Sequence, residues 1–337
     1  MNGSSRLKTK FNSQLINRML NYPSYLKSNK SGRLNCITEQ LFNRLKSCDI
    51  CPRGCNLNRL EDKVGFCKTA KLPEVYSFMS HHGEEPPVSG TRGSGTIFFS
   101  RCNMGCVYCQ NYEFSQLGKG REYEFTELAK IMLTLQESGC HNINLVTPTH
   151  VLPQILKALE IAISQGLRVP LVYNTGGYES VETIRLLDGI VDIYLADMRY
   201  ADGVISQKLS FAPDYPEYNQ EAIKEMHRQV GVAEFDKEGL IRRGLIIRHL
   251  VLPNHLSGTD KIMRFIAGDI SEDTYISLMS QYLPYYKASA YPEISRRLKN
   301  DEYEEARKIL ERYNLLNGWI QESYGSERFA GVNIKPV

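Results

Sequence analysis

The 337-residue chain has no long hydrophobic run and no surplus of either charge. Its most apolar stretch, Leu245–Leu252, is interrupted by Arg248 and His249 and falls well short of the roughly 20 apolar residues that a membrane-crossing helix needs. No membrane association is expected. The polar, basic residues Met1–Lys10 are followed by no apolar core of a secretory signal. Lys and Arg number 41 against 38 Asp and Glu, a net charge of +3. No basic run is interleaved with aromatic side chains as a nucleic-acid surface requires, so nucleic acid is not expected as a partner. What is left is an ordinary globular composition, 42% hydrophobic and 23% charged, with length for about two domains and a cytoplasmic setting.

Cysteine is what the sequence does have. A cytoplasmic chain of this size rarely uses thiols in disulfides, and the spacing of its nine cysteines gives them another use. Cys48, Cys51, Cys55 and Cys67 form one group and Cys102, Cys106 and Cys109 a second, with Cys36 and Cys140 apart. Clustered thiols in a reducing compartment read as metal ligands.

From Thr96 onward short β-branched or aromatic runs alternate with helical patterns, the signature of a parallel α/β architecture. The expected strands are Thr96–Ser100, Asn142–Thr147, Val169–Asn174, Val191–Ala196, Leu245–Val251 and Thr274–Met279. Between them, Leu128, Ile131, Met132 and Leu135 mark one helix with Thr126 as its expected N-cap, and Ile155, Leu156, Leu159, Ala162 and Ile163 mark the next. A full eight-unit barrel takes about 250 residues, so six units suit the length better. The fold expected is a partial (β/α)6 TIM-like barrel over residues 96–322, with a doubly wound sheet as the competing architecture. Ahead of it lie a polar, helical extension (1–47) and a cysteine-rich metal-binding segment and linker (48–95); a tail (323–337) follows. The 48–95 segment has few core residues and needs a metal to fold. Within it, His81, His82, Glu84 and Glu85 read either as a further metal site or, preferably, as a solvated loop leading to Pro86.

Cys102-x3-Cys106-x2-Cys109 directly follows the first expected strand, on a loop at the C-terminal mouth where barrel active sites sit. Three thiolates ligate three irons of a cubane that normally takes four, leaving one iron open. Zinc completed by His141 or His150 is the simpler alternative. The polar residues that close the other strands favour the cluster. The stretch Phe98–Asn111, with Tyr108 just before the third cysteine, resembles the cluster loop of radical S-adenosylmethionine (SAM) enzymes. Within that superfamily, the chain from Cys48 to about Tyr286, including Cys-x-x-Cys-Pro-Arg-x-Cys at Cys48–Cys55, resembles homologues of the pyruvate formate-lyase activating enzyme.

The resemblance implies a [4Fe–4S] cluster on Cys102, Cys106 and Cys109 that reductively cleaves SAM to a 5′-deoxyadenosyl radical for hydrogen abstraction. It also implies a reductant such as flavodoxin or ferredoxin, and a glycyl-radical enzyme as protein substrate. Tyr108 takes the adenine role. Thr147-Pro148-Thr149-His150 stands where relatives carry a Gly-Gly-Glu-like segment for the cofactor's amino group, and Arg101 where they commonly carry glycine. By the same resemblance Asn174 and Thr175, Asp197 and Arg199, and Arg248 occupy strand ends expected to contact the cofactor, with Arg248 placed for its carboxylate; Asp197 and Arg199 read equally as a structural ion pair. The four thiols Cys48, Cys51, Cys55 and Cys67 saturate either zinc or a second [4Fe–4S] cluster, in a structural or electron-relay role. An iron–sulfur electron-transfer or scaffold protein without radical chemistry is the alternative function.

Overall fold

The computed structural model describes residues 22–321 and 332–333. The N-terminus through residue 21 and most of the 323–337 tail lie outside the described residues. The strands are β1 Glu74–His81, β2 Ser94–Phe99, β3 Arg121–Glu122, β4 Ile143–Val146, β5 Leu171–Thr175, β6 Ile193–Asp197, β7 Glu234–Phe235, β8 Ile241–Leu250, β9 Tyr275–Met279, β10 Gly318–Ile320 and β11 Val332–Asn333. They form one sheet in the order β11-β10-β9-β8-β6-β5-β4-β2-β1-β3, with β7 added to β8. Every neighbouring pair from β2 through β10 is parallel. Spatial order therefore follows chain order. A doubly wound sheet would reverse at a switch point, so this is a mostly parallel, barrel-like α/β fold. No strand among the described residues joins its two ends, which makes the barrel open.

All six strands read from the sequence are present, within a few residues. Beyond them, β10 adds a further parallel strand, and β1 pairs antiparallel with β2. The helix Phe125–Glu137 buries Leu128, Ile131, Met132 and Leu135 as its periodicity requires. Its N-cap is Glu124 and not Thr126: Glu124 has an extended backbone and forms a reciprocal capping box with Glu127, whose carboxylate accepts from Glu124 N at 2.8 Å. The main core lies between such helices and the outer face of the strands. The N-terminal helix Arg33–Arg44 joins that core through Leu34, Ile37 and Leu41.

The expected solvated loop around Glu84 and Glu85 is corrected. Both carboxylates are buried, at 8% and 7% exposure, and the short helix Pro86–Ser89 continues beneath them. Val88 is fully buried in one cluster with Val172, Leu195, Ile246 and Trp319. These four come from β5, β6, β8 and β10, and strand register puts them on the inner face of the barrel. The segment plugs the barrel because a sheet that does not close on itself leaves its inner apolar layer uncovered.

Candidate active site

Side chains alternate between the two faces of a strand, so register decides what reaches the mouth. Asp197 and Arg248 sit opposite each other on β6 and β8. Arg248 Nε donates to Asp197 Oδ1 at 2.8 Å and its Nη2 to Asn174 Oδ1 at 2.6 Å, while Nη1 lies 3.5 Å from Glu84 Oε2. Arg199 grips the other carboxylate oxygen of Asp197 at 2.6 Å. Burial raises the Asp197 carboxyl, but the two guanidinium groups outweigh it and hold the group below its ordinary range. The sequence-named Asn174, Asp197, Arg199 and Arg248 thus meet in one network.

Arg199 ties that network to the cysteine loop. Its Nη1 lies 3.3 Å from Cys106 Sγ, and Ser210 Oγ donates to the same sulfur at 3.0 Å. Met104 N donates to Cys102 Sγ at 3.3 Å, and Cys109 Sγ is 3.1 Å from Ser115 Oγ. Burial, reinforced by the neighbouring Cys106, pushes the Cys102 thiol up to about 12 and Cys109 to about 11. At neutral pH only a bound cation would draw out their thiolates. Arg101 has φ +72°, the left-handed region that suits glycine. Its guanidinium turns away from the sulfurs to Glu74 at 3.2 Å, which leaves the loop's electrostatics to Arg199.

Three sequence-named residues point elsewhere. Tyr108 is buried rather than open to the mouth; its hydroxyl meets that of Tyr200 at 2.5 Å and its ring packs edge-on against Tyr282. Thr175, one position past Asn174, faces the other side of β5, where its hydroxyl donates to the buried Glu179. Thr149 donates to the same carboxylate at 2.5 Å. Thr147 stays at the β4 end with φ +59°, an uncommon conformation for a β-branched residue and one found at functional turns. The sequence carried no separate signal for Glu179.

Cys48, Cys51, Cys55 and Cys67 line one small cavity together with Arg53, Arg59 and His150. Arg59, 2% exposed, donates to the Ala70 carbonyl and lies 3.6 Å from Cys48 Sγ, with no carboxylate among its partners. His150 Nε2 is held by the Ser100 carbonyl at 2.8 Å, which places the proton there and leaves Nδ1 as a buried lone pair without a partner. His150 therefore belongs to this cavity and not to the Cys102 loop, while His141 pairs with Arg92. Two cations around four thiols fit an anionic metal–thiolate centre. Among the described residues no three His, Cys, Asp or Glu converge on a single-ion position. The two cysteine groups are in contact: Arg53 Nε donates to Asn103 O at 2.9 Å and its guanidinium covers the Phe66 ring at 3.7 Å. Phe66 packs so close to Gly105 that a Cβ there would lie 3.2 Å from its ring.

A family model of the radical SAM superfamily matches residues 96–231, the span from β2 through β6 that carries the cysteine loop. An uncharacterized protein of Methanocaldococcus jannaschii is 36% identical over 296 residues, covering 85% of this chain and 80% of its own length. The chain belongs to the radical SAM superfamily. Membership implies a [4Fe–4S] cluster, SAM and an external reductant, and the thiols of the loop after β2 are a donor set that fits such a cluster. Among solved structures, a radical SAM methyltransferase from Sphaerobacter thermophilus is similar at 16% identity and TM-score 0.46, over 69% of this chain and 67% of that one. The FeFe-hydrogenase maturase HydG from Carboxydothermus hydrogenoformans is similar at 13% identity and TM-score 0.46, over 65% of this chain and 50% of that one. No helix among the described residues is long and apolar enough to cross a membrane.

Proposed function

We propose that this radical SAM protein uses Cys102, Cys106 and Cys109 as the three protein ligands of a [4Fe–4S] cluster. The observation that carries the reading is the hydrogen-bonded path from Cys106 Sγ through Arg199 and Asp197 to Arg248 and Asn174, which joins the cysteine loop to the polar strand ends. Reduced and loaded with SAM, the cluster supplies reductive cleavage of the sulfonium to methionine and a 5′-deoxyadenosyl radical. Arg199, nearest the sulfurs and a quarter exposed, is bonded to Asp197 through Nε and Nη2 and to Cys106 through Nη1, and so fixes the polar strand ends against the cysteine loop. Arg248 is engaged on all three nitrogens and acts chiefly by orienting Asp197 and Asn174. Donors to Cys106 from Arg199 and Ser210 stabilise sulfur charge and tune the cluster potential. Hydrogen abstraction from a glycine of a partner protein is the form of this chemistry that the resemblance to activating enzymes implies.

Cys48, Cys51, Cys55 and Cys67 hold a second centre, a [4Fe–4S] cluster, with Arg53 and Arg59 beside its thiolates. Its packing against the Cys102 loop through Arg53 and Phe66 suits electron relay. An electron carrier without radical chemistry would have no use for the charged network at the barrel mouth.

Anaerobically reconstituted, reduced protein is expected to convert SAM to methionine and 5′-deoxyadenosine, read by chromatography, and Cys106→Ala to abolish the conversion. A wild-type protein with its full iron content that leaves SAM intact would overturn the proposal.

A further inference from the structure

Glu84 and Glu85 reach the inside of the barrel from the segment that plugs it, where Glu84 touches the cofactor network proposed above at Arg248 and Asn174 and Glu85 has no hydrogen bond to it. Glu84 Oε1 accepts from Asn144 Nδ2 at 3.0 Å and Asn174 Nδ2 at 3.3 Å. Glu85 stands next to it with Ser277 of β9 beside its carboxyl. The inner face therefore holds three carboxylates, Glu84, Glu85 and Asp197, against two guanidinium groups. Arg199 is committed to Asp197 and Cys106, and Arg248 is shared among Asp197, Glu84 and, at longer range, Glu85. Glu85 Oε2 and Asn144 Oδ1 are buried without any hydrogen-bond partner. Both orphans are acceptors, and an unsatisfied buried acceptor is costly until a donor reaches it. Asn144 cannot be turned around to help, because its Nδ2 already serves Glu84.

We infer that Glu84 and Glu85 form the cation-recognition floor of the substrate site, and that the substrate carries a primary ammonium or guanidinium on an alkyl stem. The inference rests on the proposed reading of the mouth as the cofactor and substrate site. Contacts lead from Cys106 through Arg199, Asp197 and Arg248 before the first floor carboxylate is met, so the floor lies beyond the cofactor network as seen from the cysteine loop. Burial raises both glutamates against the pull of Arg248, and an N–H donor carrying a positive charge would hold them ionised and satisfy the orphaned oxygens together. The stem also has a wall. Met79 of β1 sits opposite Thr96, whose hydroxyl neighbours Asn144, and it is 46% exposed on that inner face; Phe98 of β2 lies on the same face.

Binding can be tested without turnover, by anaerobic calorimetry on cluster-loaded, unreduced protein saturated with SAM. The probes are N-acetyl-lysine amide and its neutral isostere N-acetyl-norleucine amide. The lysine probe is expected to bind at least about tenfold tighter, the scale of one charge-assisted hydrogen bond. Glu85→Gln should erase that preference while SAM affinity is retained. Equal binding of the two probes by the wild type overturns the inference, and that comparison decides the matter even if Glu85→Gln does not fold. An undiminished preference in Glu85→Gln, a loss of its SAM affinity, or displacement of the lysine probe by millimolar magnesium or calcium would also overturn it, the last two by assigning the floor to the cofactor or to a metal. A protein that prefers the lysine probe yet never cleaves SAM would sink the proposed reaction and leave this site standing.

Discussion

Glu179, beside the face of β5 turned away from the mouth, shows how much a single buried group can contribute to stability. It is fully buried with no cation beside it, and it accepts from Thr149, Thr175 and, at 3.3 Å, the Tyr173 hydroxyl. Burial pushes its carboxyl up from 4.5 to about 7, against the pull of those three donors. Between these values the folded protein keeps a proton that the unfolded chain has released. Its contribution to stability therefore falls as pH rises through that window, by about 3 kcal/mol at roughly 1.4 kcal/mol per pH unit. Urea unfolding of Glu179→Gln should show the variant gaining on the wild type between pH 5 and pH 8. Parallel pH profiles would show that the carboxyl is not protonated in the native state. Neither Glu179 nor the orphaned oxygen of Glu85 was legible in the sequence, because nothing local distinguishes a buried glutamate from a solvated one.

At the scale of elements, the two cysteine segments behave differently although each was plain from its spacing. The Cys102–Cys109 loop is positioned by β2, by Arg101 in a left-handed conformation and by Ser210, which closes the helix Gly203–Ser210. The Cys48–Cys67 segment has only short 3-10 turns beside it and is fastened by Arg53, Phe66 and Arg59. A variant with serine at all three loop cysteines should therefore keep the metal of the Cys48 group. Elemental analysis of the anaerobically purified variant is expected to find about four irons per chain, as one cubane requires. Absence of both iron and zinc would show that the segment folds without a metal.

Across the whole molecule, an open barrel has to cover both its seam and its floor. The plug through Val88 covers the floor, and the helix Arg33–Arg44 packs against the helix Leu152–Ser164 on the outside. The extension before the cysteine segment is thus part of the main core. Leu41, fully buried there, lies far along the chain from the Cys102 loop and the polar strand ends at the mouth. Leu41→Ala should cost about 2–5 kcal/mol in urea unfolding with SAM affinity unchanged in calorimetry. A cost below about 1 kcal/mol would mean that the helix is not held against the barrel.

The sequence by itself determined the thiol chemistry, the alternating strands and helices and the polar ends of β5, β6 and β8, because each is written in local spacing and period. The choice between a barrel and a doubly wound sheet was not written there, since strand order depends on which strands pair across tens of residues. Only the tertiary structure turned Thr175 away from the mouth, buried Tyr108, moved His150 to the Cys48 group and drew Glu84 and Glu85 under Arg248. Each of these depends on which face of an element meets which neighbour, and a side chain's burial and charge environment come from residues distant in the chain.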